Sequence, residues 1–105
     1  MEAFNPADSQ LRISTAAIGD TVLVAAVADK RTKVHALRLS SAGIVTVQIR
    51  AGSTVLEVFN FGGAGTMAPL LLRHAPYYTT GVNEALNINL SGLTQVDGRL
   101  EYTVA

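Results

Sequence analysis

At 105 residues the chain is the size of a single domain, with 49% apolar and 15% charged residues against about 25% charged in an average domain. Eight basic and eight acidic residues cancel and there is no cysteine, so a disulfide framework, a cysteine-based zinc site and a clustered basic surface for duplex binding are all excluded. A chain of 11.0 kDa is expected to bury about 65% of its unfolded surface, enough for a core without covalent staples.

Residues 1–9 form a polar arm with one aromatic, Phe4, beside the turn-favouring Asn5-Pro6. The arm has neither the basic start nor the apolar centre of a secretory leader. No later apolar run reaches the ~20 residues of a membrane span. Residues 10–105 read as one domain. In QLRIST, Leu11 and Ile13 share one face and Arg12 and Ser14 the other, the period-two pattern of a half-buried strand. Gly19-Asp20 breaks the chain. TVLVAAVA, 21–28, is apolar on both faces, as expected of a strand covered on two sides. DKRTK, 29–33, is the one stretch dense in charge and reads as a solvated turn. KVHALRLSS resumes the alternation with His35, Leu37 and Leu39 on one face, and Gly43 marks the next turn. IVTVQIR sets Val45, Val47 and Ile49 against Thr46, Gln48 and Arg50, and Ala51-Gly52-Ser53 turns it into TVLEVFNF as a hairpin.

GGAG, 62–65, is a glycine-rich loop. In TMAPLLLRHAPYY, Pro69 and Pro76 forbid a central strand or a continuous helix; the expectation is an edge strand over 70–73 and a loop carrying Tyr77 and Tyr78. Next, Leu86, Ile88 and Leu90 face one way and Asn87, Asn89 and Ser91 the other. After a turn at Asp97-Gly98, the residues Leu100, Tyr102 and Val104 repeat the rhythm. Eight or so short strands, with a turn signal about every ten residues and no helical pattern, predict an all-β fold: an antiparallel β-sandwich or jelly roll.

Chemistry is scarce along this frame. Gly63-Ala64-Gly65-Thr66-Met67-Ala68 fits the dinucleotide fingerprint in letters, but no helix follows to hold a pyrophosphate, so it reads as a flexible turn. His35 and His74 are the only histidines and lack ligand spacing; His35 reads as a packed or interface residue. No serine sits in a nucleophile elbow, and Glu57 and Glu101 lie mid-strand, where a carboxylate normally faces solvent. Asn89-Leu90-Ser91 is a glycosylation sequon that has no use without a leader. Tyr77, Tyr78 and Asn83 form a candidate ligand patch for stacking a sugar, although an aromatic pair capping the sandwich or meeting another subunit is the commoner arrangement. The chain is expected to be no enzyme, with no cofactor and no metal. Mean hydropathy of +0.31 leaves more apolar surface than one small core needs, which points to contacts between identical copies.

GVNEALNINLSGLTQVDGRLEYTVA, with VHALRLSSAGIVTVQIRAGSTVL before it, resembles small β-sandwich virion proteins of tailed bacteriophages. The likeness rests on Gly81, Ala85, Leu86, Asn89, Leu90 and Ser91, then on Val96, Gly98, Leu100, Tyr102 and Val104, and a strand–turn–strand unit over 39–56 precedes them. The resemblance spans roughly residues 20–104 and implies a structural part of the particle. Such proteins serve as head decoration (cement) proteins or as other small structural parts of the particle, and the resemblance implies one made in the host cytoplasm and docked as an oligomer, often a trimer, on the major capsid protein at the virion surface. It supplies no catalytic residues. On this reading Phe4, Asn5 and Pro6 in the arm are the expected capsid contact, and neither nucleic acid nor membrane is a partner. The alternative is a small receptor- or carbohydrate-binding module of a tail fibre or tail tip, using Tyr77, Tyr78 and Asn83.

Overall fold

The computed structural model describes residues 9–64, 67–70 and 75–105. Phe4, Asn5 and Pro6 lie outside the described residues, as do Gly65, Thr66, Arg73 and His74. The described residues form strands without a helix: β1 Ser9–Thr15, β2 Gly19–Val24, β3 Thr32–Ser41, β4 Ile44–Ala51, β5 Thr54–Gly62, β6 Met67–Leu70, β7 Tyr78–Thr79, β8 Leu86–Leu90 and β9 Val96–Val104.

Pairing is antiparallel throughout and nested. β1 pairs β9, β2 pairs β8, β3 pairs β6 and β7, and β4 pairs β5. β6 meets β3 at Leu37 to Ser40 and β7 meets it at Lys33 and Val34, so the two short strands share one strand position along the same edge. Rolling this ribbon of nested hairpins adds the pairs β9–β3 and β8–β4. Two sheets result, β1-β9-β3-β6 with β7 also on β3, and β2-β8-β4-β5. Two sheets with eight strand positions in this order are a jelly roll, the all-β sandwich that the alternation predicts.

Period-two patterning places the core. Ile13, Val34, Leu37, Leu39, Val96 and Leu100 project from the first sheet onto Val24, Val45, Val47, Ile49, Phe61, Leu86, Ile88 and Leu90 of the second. Each such side chain contributes about 1.5–3 kcal/mol when buried. The two-residue turn Gly52-Ser53 joins β4 to β5, and Gly52 takes a φ of 58°, a left-handed backbone conformation that glycine adopts without a Cβ penalty.

Three local expectations change, and a fourth falls mostly outside the described residues. The apolar stretch 21–28 is not a doubly covered strand. β2 stops at Val24, lies at the edge of its sheet with Val22 58% exposed, and is followed by exposed residues 25–28; a two-layer sandwich covers only one face of each sheet. Asp97-Gly98 is not a turn but lies inside β9, and the chain reverses at 91–95 instead. Gly98 is there for proximity, since a Cβ on it would meet the backbone oxygen of Arg38 on β3 at 1.8 Å. Of the edge strand expected over 70–73, residues 71–73 lie outside the described residues; the described strand here is β6, Met67–Leu70, with Pro69 at an edge position where its missing N–H is tolerated. His35 leaves the alternation. A bulge between Val34 and Ala36 makes it the extra residue of β3, 5% exposed.

Candidate functional site

The residues singled out for chemistry are placed by the fold as follows. Tyr77 and Tyr78 lie with ring centroids 6.4 Å apart and planes tilted by 45°. Tyr78 packs half-buried against the core, and its hydroxyl donates to Glu57 Oε2 at 3.0 Å. Glu57 faces inward, opposite Ile49, not outward as its mid-strand position suggests. β5 and β7 stand at the same open side of the sandwich, one in each sheet, so this bond stitches the two layers together. An inward-pointing carboxylate on an edge strand also discourages pairing with a foreign strand.

Asn83 takes a left-handed φ of 64°. Its Oδ1 accepts a bond from the Asp29 backbone N–H at 2.7 Å, and its own N–H donates to Lys30 O at 3.1 Å. Asn83 therefore clamps the loop after β7 onto the loop before β3. Glu101 lies on the outer face of β9 and accepts from Gln10 Nε2 at 3.0 Å. Among the described residues no group of three or more His, Asp or Glu is placed to hold a metal ion.

The outer face of the second sheet carries a polar network beside the exposed Val22 and Val58, and Asn87 Oδ1 there is buried without a hydrogen-bond partner. Asn89 Nδ2 donates to Asp20 Oδ1 at 2.9 Å, Arg50 Nε donates to Gln48 Oε1 at 2.8 Å, and Arg50 Nη1 lies 3.5 Å from Asp20 Oδ1. A partly exposed ion pair of that length adds at most about 1 kcal/mol.

One end of the sandwich differs in kind. Three connections that lie wholly within the described residues meet there: 16–18 between β1 and β2, 42–43 between β3 and β4, and 91–95 between β8 and β9. Thr15 pairs with Val96 and Gly19 with Leu90, which sets the first connection alongside the third. Ala42 N–H donates to Gln95 O at 2.9 Å, Thr94 Oγ1 to Ile44 O at 3.2 Å and Ser91 N–H to Thr46 O at 3.0 Å, which ties the second to the third. From this laced end project Ile18, Ile44 and Leu93, exposed by 61%, 78% and 79%. They are the most exposed large apolar side chains among the described residues. No charged residue occurs in 16–18, 42–44 or 91–94. The opposite end carries Asp29, Lys30, Arg31 and Glu84.

Alternation passes over these residues because none occupies a strand interior. A different signal marks them: each sits beside a glycine at a turn, in Ile18-Gly19, Gly43-Ile44 and Gly92-Leu93, where polar residues are the rule. Exposed apolar side chains of this kind at a loop end offer area for contact with another surface.

No family model, curated protein or solved structure matches this chain. Its class therefore rests on the strand order and the surface: a jelly-roll sandwich, closed along one side by Tyr78 and Glu57, with one uncharged apolar end.

Proposed function

We propose that the chain is a non-enzymatic structural protein that attaches to a larger assembly through the end bearing Ile18, Ile44 and Leu93. The observation that carries this reading is that those three exposed side chains lie in or beside three connections that strand register and hydrogen bonds hold at one end of the sandwich. Covering all three from their present exposure provides about 3–6 kcal/mol. That only reaches the low end of the ~4–15 kcal/mol lost on forming a one-to-one complex. Several copies docking together on a repeating surface make up the remainder, because each contact after the first is intramolecular.

A repeating surface is what the sequence resemblance also implies. The proposed assembly is a phage head, the partner its major capsid protein, and the docking species a homo-oligomer, with a trimer favoured. The jelly roll is among the folds of viral capsid domains, which supports the reading at the level of architecture. The arm with Phe4, Asn5 and Pro6 adds a second contact.

The test is co-sedimentation with undecorated phage heads of the wild type and of an Ile44→Ser, Leu93→Ser variant. Both changes fall on exposed side chains, so unfolding free energy stays within about 0.5 kcal/mol of wild type for each. Loss of two apolar anchors lowers head binding at least tenfold. Wild-type binding by the folded double variant refutes the assignment of this end.

A further inference from the structure

Away from that end, the outer face of the first sheet carries a second feature. The register sets Arg12 of β1 opposite Arg99 of β9, and Arg99 opposite Arg38 of β3. The three arginines thus stand in one row across three adjacent strands, all exposed on the outer face. With strands ~4.8 Å apart, the row is about 10 Å long. Like charges directly opposite one another destabilise a sheet, so the arrangement calls for a compensating anion.

Among the described residues no carboxylate pairs with the row. Carboxylates stand in the rows on either side, Glu101 beyond Gln10 and Asp97 beside Ser40 and Ser14. Each is engaged by a neutral amide instead: Gln10 Nε2 donates to Glu101 Oε1 at 3.0 Å, and Gln95 Nε2 to Asp97 Oδ1 at 3.1 Å. Among the described residues the one ion pair is Arg50–Asp20, on the other sheet. The row borders a depression of about 620 Å³, whose rim includes Gln10, Ser40 and Asp97, a volume in the range of small-ligand sites.

We propose that Arg12, Arg99 and Arg38 bind a small polyvalent oxyanion, one carrying two linked phosphate or sulfate groups. The guanidinium fork matches the oxygen spacing of either group and grips it with paired, charge-assisted hydrogen bonds. Two neighbouring forks hold one anionic group, and the third arginine extends the site to a second. The ligand lies along the row, across the strands. A long polyanion running in any other direction meets Asp97 or Glu101, so the site selects a compact ligand over a duplex. This proposal uses none of the residues of the apolar end and stands or falls apart from the docking role.

The test is an NMR titration of the intact protein at low ionic strength, where screening is weak, with pyrophosphate and a disulfated disaccharide as separate probes. Saturable shifts at the amides of β1, β9 and β3 around the row are expected from at least one probe, and the tighter probe names the source of the oxyanion. Arg99→Gln, at the centre, weakens binding at least tenfold, and Arg38→Gln serves if that variant does not fold. Lys30→Gln, which removes the same charge from an exposed loop, leaves binding unchanged. Absence of saturable shifts with both probes, or an equal loss in Lys30→Gln, overturns the proposal.

Discussion

Replacing Gly98 with alanine probes how closely β9 and β3 must approach. An added Cβ sits 1.8 Å from the Arg38 carbonyl oxygen, 2.9 Å from its carbon and 3.1 Å from Leu39 Cα. A carbon rests no nearer than about 3.3 Å to a carbonyl oxygen, so the strands must part locally by roughly 1.5 Å, about a third of the normal ~4.8 Å spacing. That movement breaks the two flanking ladder bonds, at about 1 kcal/mol each, and loosens Leu39 and Leu100 in the core, for about 1–2 kcal/mol more. The expected loss is about 3–4 kcal/mol, or a fall in Tm of roughly 12–16 °C for a domain of this size. Urea-induced and thermal unfolding measure it. Gly92→Ala is the control: nothing lies within 4 Å of a Cβ there, and stability stays level or rises by up to about 1 kcal/mol. A Gly98→Ala protein within 1 kcal/mol of wild type, on the same ~1 kcal/mol scale as one hydrogen bond, refutes the close-approach argument.

Two further substitutions test the clamps around the loops. Thr80 is 1% exposed and its Oγ1 accepts the Thr32 backbone N–H at 2.9 Å; Thr80→Val strands that buried donor and costs about 1–3 kcal/mol, whereas Thr80→Ser keeps the acceptor and loses less than half as much in urea titrations. At Asn83, glycine removes the bond to Asp29 but suits the left-handed backbone, while alanine loses the bond and strains the backbone. The expected stability order is wild type, then Asn83→Gly lower by about 1 kcal/mol, then Asn83→Ala lower by about 2 kcal/mol, read from unfolding midpoints.

The sandwich was legible wherever only one face of a strand is covered. Val45, Val47 and Ile49, and again Leu86, Ile88 and Leu90, keep strict alternation because water or polar neighbours occupy the other side. Gly52-Ser53 was legible because a two-residue connection demands an unusual backbone. Asp97-Gly98 misled because the same glycine that permits a tight turn also permits a neighbouring strand to press close. Glu57 misled because β5 carries apolar residues in both phases, Leu56 and Val58 in one and Phe59 and Phe61 in the other, and a bulge opposite Ile49 and Arg50 shifts which phase faces inward. The arginine row could not be read from one dimension. Arg12, Arg38 and Arg99 are remote in the chain, and only nested pairing brings them into register. The apolar end was within reach of the sequence, by asking why isoleucine and leucine flank turn glycines.

Nesting also orders folding in time. β4 and β5 are separated by two residues, and such a hairpin closes in about 1–10 μs. Each outer pair must close a longer loop, at an entropic cost that rises slowly with length. The outermost pair joins the first strand to the ninth, so the first sheet reaches full width only when β9 arrives. Chains dominated by such distant pairings fold in milliseconds to seconds. During synthesis β1 and β2 leave the ribosome well before their partners and wait with bare edges, open to the wrong neighbour. The length of that vulnerable interval is set by translation speed and strand order, and a more stable final state does nothing to shorten it.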